Sequence, residues 1–272
     1  MQGTSRTSLA DVAERFEPAL TSAGSAGALR AGEQLYGVAV LLDSSSALRR
    51  AVSDPARSGD DKASLVQRLL SAQVGDLALD AVSSVVRERW SAGRDVADAL
   101  ERLGTQALLS SAEADDALDR VEEELFRFAR TVDANRALAS ALGDRTAAAG
   151  ERAGLVDRLI AGKAHPVTTA LVRQAALAPR GRTVETVLAD LLDVAAARRR
   201  RLVAMVTAAV PLNGRQLDRL EAVLTAQYGR TVVVEVAVDP AVVGGLRVAI
   251  GGEVLEATVA TRLDEARRAL TR

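Results

Sequence analysis

The 272-residue chain contains no cysteine and one histidine, His165. Without thiols there is no disulfide framework, thiolate zinc site or cysteine nucleophile, and a lone imidazole cannot build a multi-histidine metal cluster. Aromatic residues make up 2% of the chain, too few for a base-stacking surface. Only Lys62 and Lys163 are lysines among 35 basic residues, and 36 acidic residues bring the net charge to -1. That balance gives no overall attraction for nucleic acid or an anionic bilayer. The longest apolar run, around Leu202 to Leu212, is short of the roughly 18 to 20 residues that cross a bilayer, so no direct membrane insertion is expected. Asp11 and Glu14 interrupt the N-terminus before any apolar stretch of a secretory signal, which reads as an intracellular protein. What the chain does have is 48% apolar and 26% charged residues, the proportions of a globular protein. Its abundant alanine favours closely packed helices.

An offset of 90 residues aligns the chain with itself. Between Asp43 and Leu70 the matches are Asp43/Asp133, Ala47/Ala137, Leu48/Leu138, Ala51/Ala141, Asp54/Asp144, Ala63/Ala153, Leu65/Leu155, Val66/Val156, Arg68/Arg158 and Leu69/Leu159. After a two-residue slip Gly93-Arg94 falls on Gly181-Arg182, and Leu100 and Leu103 on Leu188 and Leu191. A whole unit is duplicated. Its period exceeds that of solenoid repeats, so two small bundles in series are expected. Apolar spacing inside the unit is helical, as in Leu65, Val66, Leu69 and Leu70 or Leu77, Ala81, Val82, Val85 and Val86. From Asp95 to about Arg130 only Gly104 interrupts, which predicts either one long connecting helix or a break near Ser110-Ser111. The acidic cluster between Glu113 and Glu124 in that stretch reads as a solvated helix face.

At Leu202 the pattern changes to β-branched residues. Leu202 to Val210 and Thr231 to Val238 read as strands, with a helix over about 213 to 228 opened by Asn213 and its partner Gln216. Asp239-Pro240 closes the second strand, Gly244-Gly245 permits a bend, and Gly251-Gly252 reads as a hairpin turn between Leu246 to Ile250 and Glu253 to Glu256. A last helix is predicted over Ala257 to Leu270. The fold class is therefore mostly α with a small α/β C-terminal domain: two tandem helical bundles followed by a βαβββα module. The boundaries fall at 1–110, 111–201 and 202–272.

No catalytic, cofactor-binding or metal-binding set emerges. The glycine pairs lack a Walker lysine and sit between strands. Arg198 to Arg201 read as the positive end of a long helix, with phosphate binding as the rival use. His165 precedes Pro166 at a loop-to-helix junction and has no nearby metal-ligand partner in sequence.

The stretch Val206-Thr-Ala-Ala-Val-Pro-Leu212, then Val236-Ala-Val-Asp-Pro through Gly251 and Val254 through Leu263, resembles the delta subunit of F-type ATP synthases, also called the oligomycin-sensitivity-conferring protein family. Ala13 to Leu20 is similar to that family's opening helix, and Gly93-Arg94 or Gly181-Arg182 to the segment before its last bundle helix. Glu256 and Thr258 stand where the family usually has Asp and Ser, and the chain is longer than a usual member by one duplicated unit, as in the actinobacterial branch. The resemblance implies a non-catalytic peripheral-stalk subunit without cofactors, one copy per complex, peripheral on the cytoplasmic face of the plasma membrane. Its implied partners are the N-terminal segments of the head's α subunits and the C-terminal helices of subunit b; nucleic acid is not among them. Asp239, Pro240, Gly244, Gly245, Arg262 and Leu263 are the family-motif structural residues. Because the opening helix around Phe16 precedes only the first unit, that unit is expected to bind the head and the second to be an insertion; the rival expectation is that the second unit, joined directly to the strand module as in shorter members, grips the head. Phe16, Leu20, Val82, Val85 and Val86 are candidates for a helix-binding groove, with bundle core as their other reading. The competing function is a helical nucleic-acid-binding or scaffold protein using Arg198 to Arg201. An enzyme built on paired carboxylates is the remaining class, for which no pair is found.

Overall fold

The computed structural model describes residues 1, 3–144, 146–199, 202–228, 232–240, 245–250 and 253–258. The chain forms two compact units, Met1–Ala195 and Ala196–Arg272.

Helix α1, Gly3–Ser44, reverses at Gly24, whose φ of +64° is a left-handed conformation open to glycine. Its first half holds Ser5 against Asp95, and Gln106 bonds to Ala13 and Glu17; after the reversal Gly32 and Tyr36 meet residues 104–108. The two halves thus run along one helix in opposite directions. That helix is α5, Gly93–Ala114. Between them lie α2, Ser46–Ser53, α3, Gly59–Leu70, and α4, Asp76–Arg87. Ser45 and Ser58 cap α2 and α3 by accepting from the amides of Leu48 and Asp61.

The second repeat continues with α6, Leu118–Ala134, α7, Arg136–Gly143, α8, Ala149–Ile160, α9, Pro166–Leu177, and α10, Val184–Arg199. Helices α7, α8 and α9 begin and end 90 residues after α2, α3 and α4, and α6 ends 90 after α1. Asn135 caps α7 as Ser45 caps α2. The duplication read from ten identities is therefore a duplication of helices and of the loops between them, with the side-chain cap kept between α2 and α7.

Two corrections follow. Of the two expectations for the 95–130 stretch the break is the one found, and it lies not at Ser110-Ser111, which are buried within α5, but at residues 115–117, where Asp116 takes φ +54°. The repeats are also not independent bundles in series, because α5 belongs to both. Val96, Leu100 and Leu103 enter one core with Val12, Phe16, Leu35 and Val82. Leu108, Leu109 and Ala112 enter the other with Leu125, Phe128, Leu171 and Leu188. Gly93 lies 90 residues after Gly3, so α5 closes the first repeat and opens the second, as the first half of α1 opens the first. The expected boundary at 110/111 falls inside this shared helix.

The second unit contains β1, Leu202–Ala208, α11, Gly214–Tyr228, β2, Val232–Val238, β3, Gly245–Ile250, and β4, Glu253–Thr258. The sheet order is β2-β1-β3-β4, with β1 parallel to β2 and the other pairs antiparallel. The parallel pair needs a crossover, and α11 supplies it. Asn213 and Gln216 form the expected capping box: the Asn213 amide donates to Gln216 Oε1 at 2.9 Å, and the Gln216 amide to Asn213 Oδ1 at 3.0 Å. Ala204, Val206, Leu224, Val232 and Val248 make the core. Strand β1 stops at Ala208, short of the expected Val210, and β4 includes Ala257 and Thr258, where a helix was expected to begin. The rest of that helix, with Gly244, Gly251, Gly252, Arg262 and Leu263, lies outside the described residues.

Candidate partner-binding surfaces

The five groove candidates are closed into the first core. Phe16 is 6% exposed, and Leu20, Val82, Val85 and Val86 are at most 1% exposed, so their core reading holds in this structure. Val82 and Val86 nevertheless line a small apolar crevice of about 10 Å³ together with Val38, Leu42, Val52 and Leu69. Leu69 is exposed, as are Val40 and Leu41 on the neighbouring stretch of α1. In the second repeat the positions of Val38 and Val52 hold the larger Phe128 and Leu142, while Val40 and Leu41 become Arg130 and Thr131. Exposed apolar residues there are Phe126, Leu159 and Val194. Sequence periodicity missed the exposed set because an exposed Leu and a core Leu on one helix look alike. Comparing the two repeats position by position was the available signal.

On the second unit Met205, Val210, Val223 and Val238 are exposed. Of the motif residues, Asp239 ends β2 with its amide donating to the Ala208 carbonyl at 2.9 Å, Pro240 begins the turn, and Gly245 opens β3 with φ +86°.

Of the charged candidates, Arg199 is exposed at the end of α10. Arg198 is buried in the last turn of α10, which removes it as a free phosphate ligand; Arg200 and Arg201 lie outside the described residues. His165 caps α9, its Nδ1 accepting from the Val167 amide at 3.3 Å. The acidic stretch is only partly a solvated face. Glu124 Oε2 accepts from the His165 amide at 2.8 Å and from Thr168 Oγ1 at 2.7 Å, and Oε1 accepts from Arg120. Burial works to raise this carboxyl, but the bonds from Thr168, Arg120 and His165 outweigh it and hold Glu124 below the ordinary glutamate range. Among the described residues no group of three or more His, Asp or Glu could hold a metal, and no helix is long and apolar enough to cross a membrane.

Helices stacked through a shared member and followed by a separate small α/β unit define a helical-repeat protein. The chain belongs to the ATP synthase delta (OSCP) family, whose model matches residues 105–270. Proteins named ATP synthase subunit delta are 50% identical to it in Beutenbergia cavernae, covering 99% of each chain, and 48% identical in Kineococcus radiotolerans, covering 98% of this chain and 97% of that one. One from Streptomyces griseus is 47% identical and covers 98% of both. These actinobacterial relatives match across both repeats. A chain of the Toxoplasma gondii mitochondrial ATP synthase hexamer matches at 16% identity and a TM-score of 0.29 over 62% of this chain and 95% of that one, too weak a likeness for structural comparison.

Proposed function

We propose that this protein is the non-catalytic delta subunit of a proton-translocating F-type ATP synthase, resisting rotor torque from the peripheral stalk. The observation that carries this reading is the match to ATP synthase delta subunits over 99% of both chains at 50% identity. In this reading it is peripheral on the cytoplasmic face of the plasma membrane, one copy per complex, between N-terminal segments of the α subunits and C-terminal helices of subunit b. A stator link must hold two partners apart and transmit force between them, and a chain of two compact units, each with exposed apolar side chains, suits that task. Co-purification from detergent-extracted membranes tests it: α, β and b subunits should follow a tagged chain in fixed proportion, and their absence would refute it.

The bundle meeting the head is the second repeat in this proposal. The family model begins at Thr105, inside α5, and runs through the second repeat into the sheet unit. The argument for the first repeat, that it alone owns an opening helix, falls because α5 fills that place for the second. A specific observation still favours the first: its small apolar crevice with Val40, Leu41 and Leu69 nearby. Binding of an α-subunit N-terminal peptide separates the two. Phe126→Asp should weaken it at least tenfold while Leu41→Asp leaves it unchanged; the reverse pattern assigns the head to the first repeat.

A further inference from the structure

The loop between α9 and α10 carries two successive left-handed residues, Arg180 at φ +51° and Gly181 at φ +79°. Glycine adopts this conformation freely, whereas an arginine keeps it only where its surroundings hold it there. The Arg180 side chain is 12% exposed and reaches out of its own repeat. Its Nε lies 2.9 Å from Asp43 on α1 and 3.0 Å from Glu101 on α5; Nη1 lies 2.7 Å from Asp98, and Nη2 donates to the Ala39 carbonyl at 3.4 Å. Arg182 adds a second strap, 2.9 Å from Glu101 and 2.9 Å from Asp190 on α10. Glu101, 13% exposed, is shared by both guanidinium groups.

In the first repeat the equivalent loop is held differently, by the Ser8 hydroxyl donating to the Arg89 carbonyl at 2.9 Å and the Ser91 amide donating to Ser5 Oγ at 2.8 Å. Aligning Gly93 with Gly181 puts Ala92 at the position of Arg180 and leaves Arg94 exposed at that of Arg182. The cation is therefore a feature of the second copy alone, placed where α1 and α5 present three carboxylates. An exposed ion pair would contribute little. A largely buried guanidinium shared among three acids differs, because removing it takes one of two cations from Glu101, 13% exposed, and leaves only Arg182 beside it.

We propose that Arg180 is a latch between the repeats, tying the α9–α10 loop to the end of α1 and the start of α5 so that both repeats transmit force as one body. Helix α5 joins them along one line, and Tyr36 of α1 enters the second core beside it. The latch acts off that line, at the point where α1 ends. Its mechanical purpose rests on the stalk reading; its existence as a coupling device does not.

Amide hydrogen exchange on the isolated full-length chain tests it. Arg180→Gln should speed exchange at least tenfold both in residues 178–183 and across the interface in residues 40–44 of α1. The control Arg127→Gln, which removes the exposed Arg127–Glu123 pair within α6, should change neither segment. Arg180→Gln combined with Asp98→Asn should be no faster than Arg180→Gln alone, since both break one linkage. Unchanged exchange in 40–44, or effects that multiply in the double variant, would overturn the latch. If Arg180→Gln unfolds the chain, Arg180→Lys, which keeps the charge without the planar fork, carries the same comparison with a smaller expected change. Altered exchange with normal ATP-driven proton pumping in the reconstituted complex would count against the stalk reading and leave the latch standing.

Discussion

At single positions the duplication acts as an internal control. Gln34 Oε1 accepts from the Gly75 amide at 3.0 Å, and 90 residues on Glu124 accepts from the His165 amide at 2.8 Å; each ties a middle helix to the residue preceding α4 or α9. Because its folded-state affinity for protons is depressed, Glu124 stabilises the protein above the ordinary glutamate pKa, and that contribution is lost as pH falls through the lower folded value. Glu124→Gln reproduces the first repeat's solution, so urea unfolding should show it less stable than the parent at neutral pH and equal to it in acid. Glu124→Ala should cost about 1 kcal/mol at pH 7 by loss of the amide bond alone. The buried cations are a second equivalent pair. Lys62 donates to the Glu88 carbonyl at 3.4 Å, whereas Arg152 donates to the carbonyls of Ala176, Leu177 and Asp144. Both serve the C-terminal end of the facing helix, where carbonyls lack helical partners. Arg152→Ala leaves these carbonyls without their donor and should destabilise by about 2 to 4 kcal/mol in thermal or urea unfolding, with Arg152→Lys recovering part of the loss. Neither pair was legible from identities, since Gln34 faces Glu124 and Lys62 faces Arg152; equivalence of role survived a change of residue type.

Helix pairing turns on two glycines. A Cβ on Gly104 would stand 2.7 Å from the Tyr36 ring and 3.1 Å from the Gly32 carbonyl, and one on Gly32 would stand 2.7 Å from Leu108 and 2.9 Å from the Gly104 carbonyl. The α1–α5 contact is thus backbone against backbone, with Tyr36 buried and its hydroxyl 2.8 Å from Thr105. Gly104→Ala and Gly32→Ala should each cost about 1 to 3 kcal/mol in urea unfolding, and together less than their sum because they crowd one contact. The sequence showed Gly104 only as an interruption in a helical run; its purpose depends on a partner 72 residues away, which local periodicity does not reach. The equivalent faces of α5 and α1 differ in burial. Leu100, Gly104, Leu108, Leu109 and Ala112 are buried on α5, while the equivalent Ala10, Glu14, Pro18, Ala19 and Ser22 on α1 are exposed. The first half of α1 packs inward through Val12, Phe16 and Leu20 and presents a largely polar face outward, the character of a capping element in a repeat array. Helix existence, the capping box at Asn213 and the succession of strands and helix along the second unit were legible because they depend on neighbours in sequence. The sharing of α5 was not, because a helix buried on both faces reads simply as apolar.

For the whole molecule, the shared helix means the two repeats cannot lose structure separately without exposing one face of α5. Trp90, the only tryptophan, reports the first repeat, and amide protection of α9 reports the second. Both should be lost at the same urea concentration; a first repeat that melts while α9 stays protected would contradict the fused arrangement. The family was legible from the C-terminal motifs and the duplication, while the partner-facing residues were not: apolar side chains chosen as groove candidates proved to be core. The central claim is that this protein holds the head of an ATP synthase to its membrane part without taking part in the chemistry. Membrane vesicles from cells depleted of it, assayed for ATP synthesis and ATP hydrolysis side by side, test that claim most directly. The account predicts that hydrolysis by the head persists while synthesis collapses, and that adding back the purified chain restores synthesis. Undiminished synthesis in its absence would contradict the account.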